Sequence, residues 1–115
     1  VTGELTFGWT DDSGSFETYD TSASVVSTGR WQHKCAVRAS ANSVALYVGG
    51  SSLSATSIAG DVAITTTPGS IAIGRAGGLN LQYFDGKIDD ARIYNRALTA
   101  DEIKQLYQLG GTVLR

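Results

Sequence analysis

Leu5, Phe7 and Trp9 alternate with polar or small residues, the period-two pattern of a half-buried strand. Asp11-Asp12-Ser13-Gly14 then supplies turn formers before the pattern resumes from Phe16 to Tyr19, which predicts a hairpin. From Trp31 the residues Trp31, His33, Cys35 and Val37 share one face and Gln32, Lys34, Ala36 and Arg38 the other, up to a break at Ser40 to Ser43. Val44 to Val48 continues as a nearly unbroken apolar strand and ends at Gly49-Gly50, where positive φ is cheap, so a second hairpin is expected. Weaker strands are predicted at Leu53 to Ile58 and Val62 to Thr66 in a Ser/Thr/Ala-rich stretch, and another at Ile71 to Gly74. Arg75 to Leu81 reads as a loop, and Gln82 to Phe84 leads through Asp85-Gly86 into an expected strand from Lys87 to Tyr94.

One helix is predicted, starting after Thr99. Thr99 and Glu102 have the spacing of a capping box, in which the hydroxyl accepts from the Glu102 amide and the carboxylate reaches back. Leu98 and Ile103 are placed as a hydrophobic staple, and Asp101 and Glu102 sit at the positive end of the helix dipole. Ile103, Leu106 and Tyr107 share a face that should dock on a sheet, and Gly110-Gly111 is expected to stop the helix. Short strands with one late helix predict an all-β fold, an antiparallel β-sandwich with one short C-terminal helix.

Composition narrows the function classes. With 115 residues there is room for one domain, 1–115, and one site cluster. Formal charge is −2 and the nine Lys and Arg form no run that could follow a phosphate backbone, which argues against a nucleic-acid partner. No apolar stretch approaches the ~20 residues of a bilayer span, so membrane insertion is not expected. The chain contains no Met, which suggests a processed product or a fragment. Cys35 is alone, so stability must come from packing and not from an internal disulfide. Abundant Ser, Thr and Gly beside three Lys and three Glu describe a turn-rich β surface of the kind common in secreted or particle-surface domains.

Three stretches, "GRWQHKCAVRASANSVALYVGG" (Gly29 to Gly50), "SIAIGRA" (Ser70 to Ala76) and "FDGKIDDARIYNRALTADEIKQLY" (Phe84 to Tyr107), resemble in order and spacing the laminin G-like, concanavalin A-like jelly-roll modules. The Trp-x-His start, the Leu-Tyr-Val-x-Gly hairpin, the Ile-Gly strand and the Gly-x-Ile-Asp-Asp-x-Arg-Ile-Tyr-Asn-Arg-Ala-Leu ending carry the likeness, the last being the most specific. The resemblance implies a concanavalin A-like jelly roll. It also implies a partial module, because relatives carry several further strands before the position of Val1. A parent chain or a protein partner is then expected to complete the sandwich.

Candidate chemistry follows from the acids and aromatics. In a regular strand Asp89 and Asp90 would point to opposite faces, so they cannot both serve one substrate. The inward one needs backbone amides or hydroxyls as partners, or a Ca²⁺ ion of the kind some jelly-roll relatives hold, with Asp89 or Asp90 as ligand and a further acid from Asp11-Asp12. Glycosidases on this type of scaffold use closely spaced carboxylates, and Glu4, Glu17 and Glu102 do not form such a pair, so no catalytic residue is expected. His33 reads as a packed, hydrogen-bonded core histidine and Cys35 as a small hydrophobe on the same face. For ligand binding, Trp9, Tyr19 and Tyr83 are candidate stacking platforms and Asp11, Asp12, Asp20 and Asn80 candidate hydrogen-bonding partners; each also has a plain role in core or turn. The function expected is a non-catalytic, carbohydrate-directed recognition or adhesion module of an extracellular, cell-surface or virion protein. The alternative is a structural component that decorates a larger assembly, such as a phage or virus particle, with no glycan ligand.

Overall fold

A computed structural model describes residues 3–21, 24–40, 43–57, 71–75 and 83–113. The strands expected at Val62 to Thr66 and the candidate Asn80 lie outside the described residues. Six strands and one helix are formed there: β1 (Thr6–Thr10), β2 (Phe16–Thr21), β3 (Lys34–Ser40), β4 (Ser43–Val48), β5 (Ser51–Leu53), β6 (Ala55–Ser57) and α1 (Ala100–Val113). They make two antiparallel three-stranded sheets, ordered β1-β2-β6 and β3-β4-β5. The fold is an all-β jelly-roll sandwich with a C-terminal helix.

Both expected hairpins are present. In the first, Phe7 pairs with Tyr19 and Trp9 with Glu17, so these four side chains share the half-buried face of their sheet. In the second, Gly49 and Gly50 close β4 onto β5 with φ of 58° and 79°, the two left-handed residues a type I′ turn requires. β3 begins at Lys34 and not at Trp31, yet the ladder reaches one step further, because the Gly49 amide donates to the His33 carbonyl at 2.9 Å. Trp31 lies beyond that last bond and is exposed.

The second sheet is covered on both faces. Cys35, Val37, Ala45 and Tyr47 pack with Leu98, Ile103 and Leu106, which docks α1 as its apolar face predicts. Ile103 is fully buried. Gly50 makes the approach possible, since a Cβ there would lie 3.0 Å from the Tyr107 ring. Leu46, also fully buried, alternates to the opposite face, where Leu53 stands across from it. The sheets are tied by Arg38 of β3, whose guanidinium carbon sits 4.9 Å from the centre of the Trp9 ring, within the range of a cation–π contact.

The capping box closes as expected. The Thr99 amide donates to Glu102 Oε2 at 2.8 Å, the Glu102 amide donates to Thr99 Oγ1 at 3.2 Å, and Arg96 holds both Glu102 carboxylate oxygens at 2.8 and 2.9 Å. The Arg96 guanidinium first, and the Thr99 amide after it, pull the Glu102 carboxyl down from 4.5 to about 2. A folded pKa below the unfolded one means that this contribution is complete above 4.5 and is lost as pH falls through about 2. Urea midpoints measured across that window should therefore fall with pH in the wild type and fall less in Glu102→Gln.

Four expectations are corrected. The helix does not stop at Gly110-Gly111: it runs to Val113, because Gly110 keeps a right-handed φ and a glycine terminates a helix only by turning left-handed. Of the strand expected from Leu53 to Ile58, residues 53–57 are described and are not one strand, since Ser54 passes the chain from one sheet to the other. Ile71 to Gly74 and Lys87 to Tyr94 form no strand; the first is followed by one isolated bridge, between Arg75 and Tyr83, and the second joins neither sheet. A strand exists only where a neighbour takes its amides and carbonyls, and alternation alone does not supply one.

Candidate functional site

The β1–β2 hairpin brings several of the candidate residues together. Trp9 is half-buried near the end of β1, stacked on Tyr19 at 5.8 Å with 22° between the rings, tilted against Phe7 at 5.8 Å, and covered on one side by Arg38. Tyr19 is buried, so it supports the Trp9 ring and offers little surface of its own.

The turn that follows is built on Asp11. Its Oδ1 accepts from the amides of Ser13 and Ser15, each at 2.9 Å, and from the Ser13 hydroxyl at 2.7 Å. The Asp11 amide donates to the Ser15 carbonyl at 2.9 Å, and Gly14 crosses the turn at a φ of 84°. The Ser13 hydroxyl first, and then the turn amides, hold the Asp11 carboxyl below its usual value. Asp11 is thus a turn-forming residue, and the exposed Asp12 stands beside it at the hairpin tip. Asp20 pairs with Thr6 on the outer face of β2, and its Oδ1 is buried with no hydrogen-bond partner among the described residues. Tyr83 is exposed on a separate segment, held by its bridge to Arg75.

One residue of this region is not evident from the turn pattern. Glu17, next to the turn in sequence, is 1 % exposed and accepts from Ser57 Oγ at 3.1 Å. The signal was present in the alternation Glu17, Tyr19, Thr21, which places it on the inner face opposite Trp9.

Asp89 and Asp90 do not point to opposite faces of a regular strand. Asp90 has a φ of 51°, its amide donates to Asp89 Oδ1 at 2.8 Å, and its own carboxylate binds Arg92 through two bonds of 2.8 and 3.1 Å. Both acids are exposed. A calcium ion takes six to eight oxygens, and among the described residues no three His, Cys, Asp or Glu side chains come together to hold a metal. With one of the two carboxylates already facing a cation, the described residues do not fit a calcium site.

His33 and Cys35 lie on the helix side of β3. The His33 ring is 6.1 Å from Tyr107, its Nδ1 is buried without a hydrogen-bond partner among the described residues, and burial lowers its pKa against the opposing pull of Asp90. It is packed as expected, and among the described residues the expected hydrogen bond is not made at Nδ1. Burial also pushes the Cys35 thiol up, which suits a packing residue and not a nucleophile. No helix among the described residues is long and apolar enough to cross a membrane.

Comparison with known proteins agrees with this architecture. No curated protein matches the sequence. Among solved structures, the chain is similar to an S-layer domain-containing protein from Clostridium thermocellum (residues 221–444), with a TM-score of 0.53 and 23% identity over 93% of this chain. It spans 64% of that neighbour's length. Residues 1–104 match the family model described as the concanavalin A-like lectin/glucanases superfamily. The chain belongs to that family, as a laminin G-like jelly-roll module.

Proposed function

We propose that this domain is a non-catalytic recognition module of an extracellular or cell-surface protein, and that it binds carbohydrate at the tip of the β1–β2 hairpin. The observation that carries this is the placing of a partly exposed Trp9 ring, stacked on Tyr19, beside Asp11 and Asp12 on one hairpin. A sugar ring has an apolar face for the indole and hydroxyls for the carboxylates, and loops carried on a sheet are where such contacts are made. Asp20, on the outer face of the same hairpin, and Tyr83, on its separate segment, are secondary contacts in this proposal, and Asn80 keeps its proposed role from the sequence alone.

Absence of turnover is part of the proposal. The inner carboxylate, Glu17, is buried and shared with Ser57, and glycoside hydrolysis needs two carboxyl groups flanking one bond. An oligosaccharide array should yield a bound glycan, and that glycan should be recovered intact by mass spectrometry after prolonged incubation. Cleavage products would overturn the non-catalytic assignment.

A second proposal, favoured by the apolar side chains exposed on residues 71–75 and 83–94, is a structural or decorating role in a larger assembly, for example a phage or virus particle, without a glycan ligand. In either case we propose that further polypeptide, from the parent chain or a partner protein, completes the sandwich over that face. Calcium is not required in either proposal: Asp89 and Asp90 do the work of turning and pairing the chain themselves.

A further inference from the structure

Arg38 is partly buried on β3, and its guanidinium carbon lies 4.9 Å from the centre of the Trp9 ring. Its Nε is buried with no hydrogen-bond partner, and neither terminal nitrogen enters a hydrogen bond or ion pair among the described residues. Arg92 and Arg96, both more than half exposed, each hold a carboxylate at 2.8 Å. Stability alone would select the reverse, because an ion pair in water is worth little, whereas a cation withdrawn from water needs an anion. Glu17, which pairs with Trp9 across the hairpin, is buried and accepts from Ser57 Oγ at 3.1 Å. The guanidinium is therefore placed against an aromatic ring and left without a protein anion, and its parallel N–H donors match the two oxygens of a ligand carboxylate.

Charge around Trp9 then narrows the ligand. A sugar lying against the ring brings its substituents close to the Arg38 guanidinium. Toward the hairpin tip stand Asp11, whose carboxyl is held charged by the Ser13 hydroxyl and the turn amides, and the exposed Asp12. Carboxylates accept from sugar hydroxyls and repel a second anion. We propose that the site takes saccharide chains bearing isolated uronic acids, the ligand carboxylate pairing with Arg38 and neutral hydroxyls facing Asp11 and Asp12, and that it rejects polysulfated chains. Arg38 is the specificity-determining residue of this arrangement. The inference rests on the reading of the β1–β2 hairpin as a carbohydrate site and names the class of sugar.

The test is an array of oligosaccharides that each contain one uronic acid, the same set after reduction of the carboxyl group to an alcohol, and polysulfated chains. The wild type should bind members of the first set about tenfold more tightly than their reduced counterparts, with the preference shrinking as NaCl is raised. Arg38→Gln should bind both sets alike, and Arg38→Lys should keep part of the preference, since the charge remains and the planar fork is lost. Near-UV circular dichroism of the Trp9–Tyr19 stack reports whether each variant is folded, and the wild-type comparison stands without either variant. Equal binding of acid and reduced sets by the wild type, a preference that survives in Arg38→Gln, or tighter binding of polysulfated chains overturns the proposal. Equal binding that Trp9→Ala abolishes contradicts the uronate class and leaves the hairpin site in place. Binding to no member of the array, or binding that Trp9→Ala does not change, removes both.

Discussion

Replacing Ile103 by alanine should lower the unfolding free energy by about 3 kcal/mol, read as a drop in urea midpoint with little change in slope. Ile103 is fully buried between Tyr47 and Leu98, and it is the staple residue that the capping box aims at the sheet. Truncation removes three heavy atoms from the contact that joins α1 to β3 and β4, and the neighbours are anchored on a helix cap and a ladder that do not collapse to fill the space. Leu109→Ala, on the same helix but 61 % exposed, should change stability by no more than about 0.5 kcal/mol. If the two variants lost equal stability, the helix would not be docked through this face.

The second large effect is expected at Gly8, which stands opposite Thr18 in the first hairpin. A Cβ there would lie 2.5 Å from the Glu17 carbonyl oxygen and 2.8 Å from Thr18 Cγ2. The carbonyl belongs to the partner strand and cannot rotate away, so Gly8→Ala must push β1 off β2, at a cost of about 2–3 kcal/mol. Gly14→Ala is the comparison: its φ of 84° is left-handed but nothing lies within 4 Å, so only the local strain of roughly 1–2 kcal/mol is paid. Because Gly8 is next to Trp9, the Gly8 variant should also change the near-UV circular dichroism of the Trp9–Tyr19 stack, and the Gly14 variant should leave it intact.

What was legible in the sequence is what depends on local pattern. Leu5, Phe7 and Trp9 declared a face, Gly49-Gly50 declared a tight turn, and Thr99 with Glu102 declared a helix start, each because a few adjacent residues satisfy their own backbone. Pairing is a different matter. Ser54 switches sheets within a single residue, and nothing in the period of Leu53 to Ile58 marks it, because alternation records which side is buried and not which strand lies alongside. Lys87 to Tyr94 has the residues of a strand but no neighbour among the described residues to accept its hydrogen bonds, and so it stays irregular, with Asp90 left-handed and paired to Arg92.

The candidate site divides in the same way. Trp9, Asp11 and Asp12 are close in sequence and a hairpin keeps them close in space, whereas the distant Tyr83 is carried on another segment. Glu17 was hidden by its position beside turn residues; the strand's alternation, followed one residue further, would have placed it inside. Three acids of Phe84 to Tyr107 serve structure: Glu102 caps the helix, Asp89 accepts the next amide, and Asp90 pairs with Arg92.

The chain has two tryptophans, which makes the proposed recognition surface open to direct observation. Trp9 is at the proposed site and Trp31 is exposed beyond the start of β3, so a ¹⁵N-labelled sample should give two indole N–H signals, assigned with Trp31→Phe. On titration with a glycan selected from an array, the Trp9 signal should move in a saturable way while the Trp31 signal stays in place. Movement of Trp31 alone, or of neither signal while the glycan binds, would contradict the placing of the site on the β1–β2 hairpin.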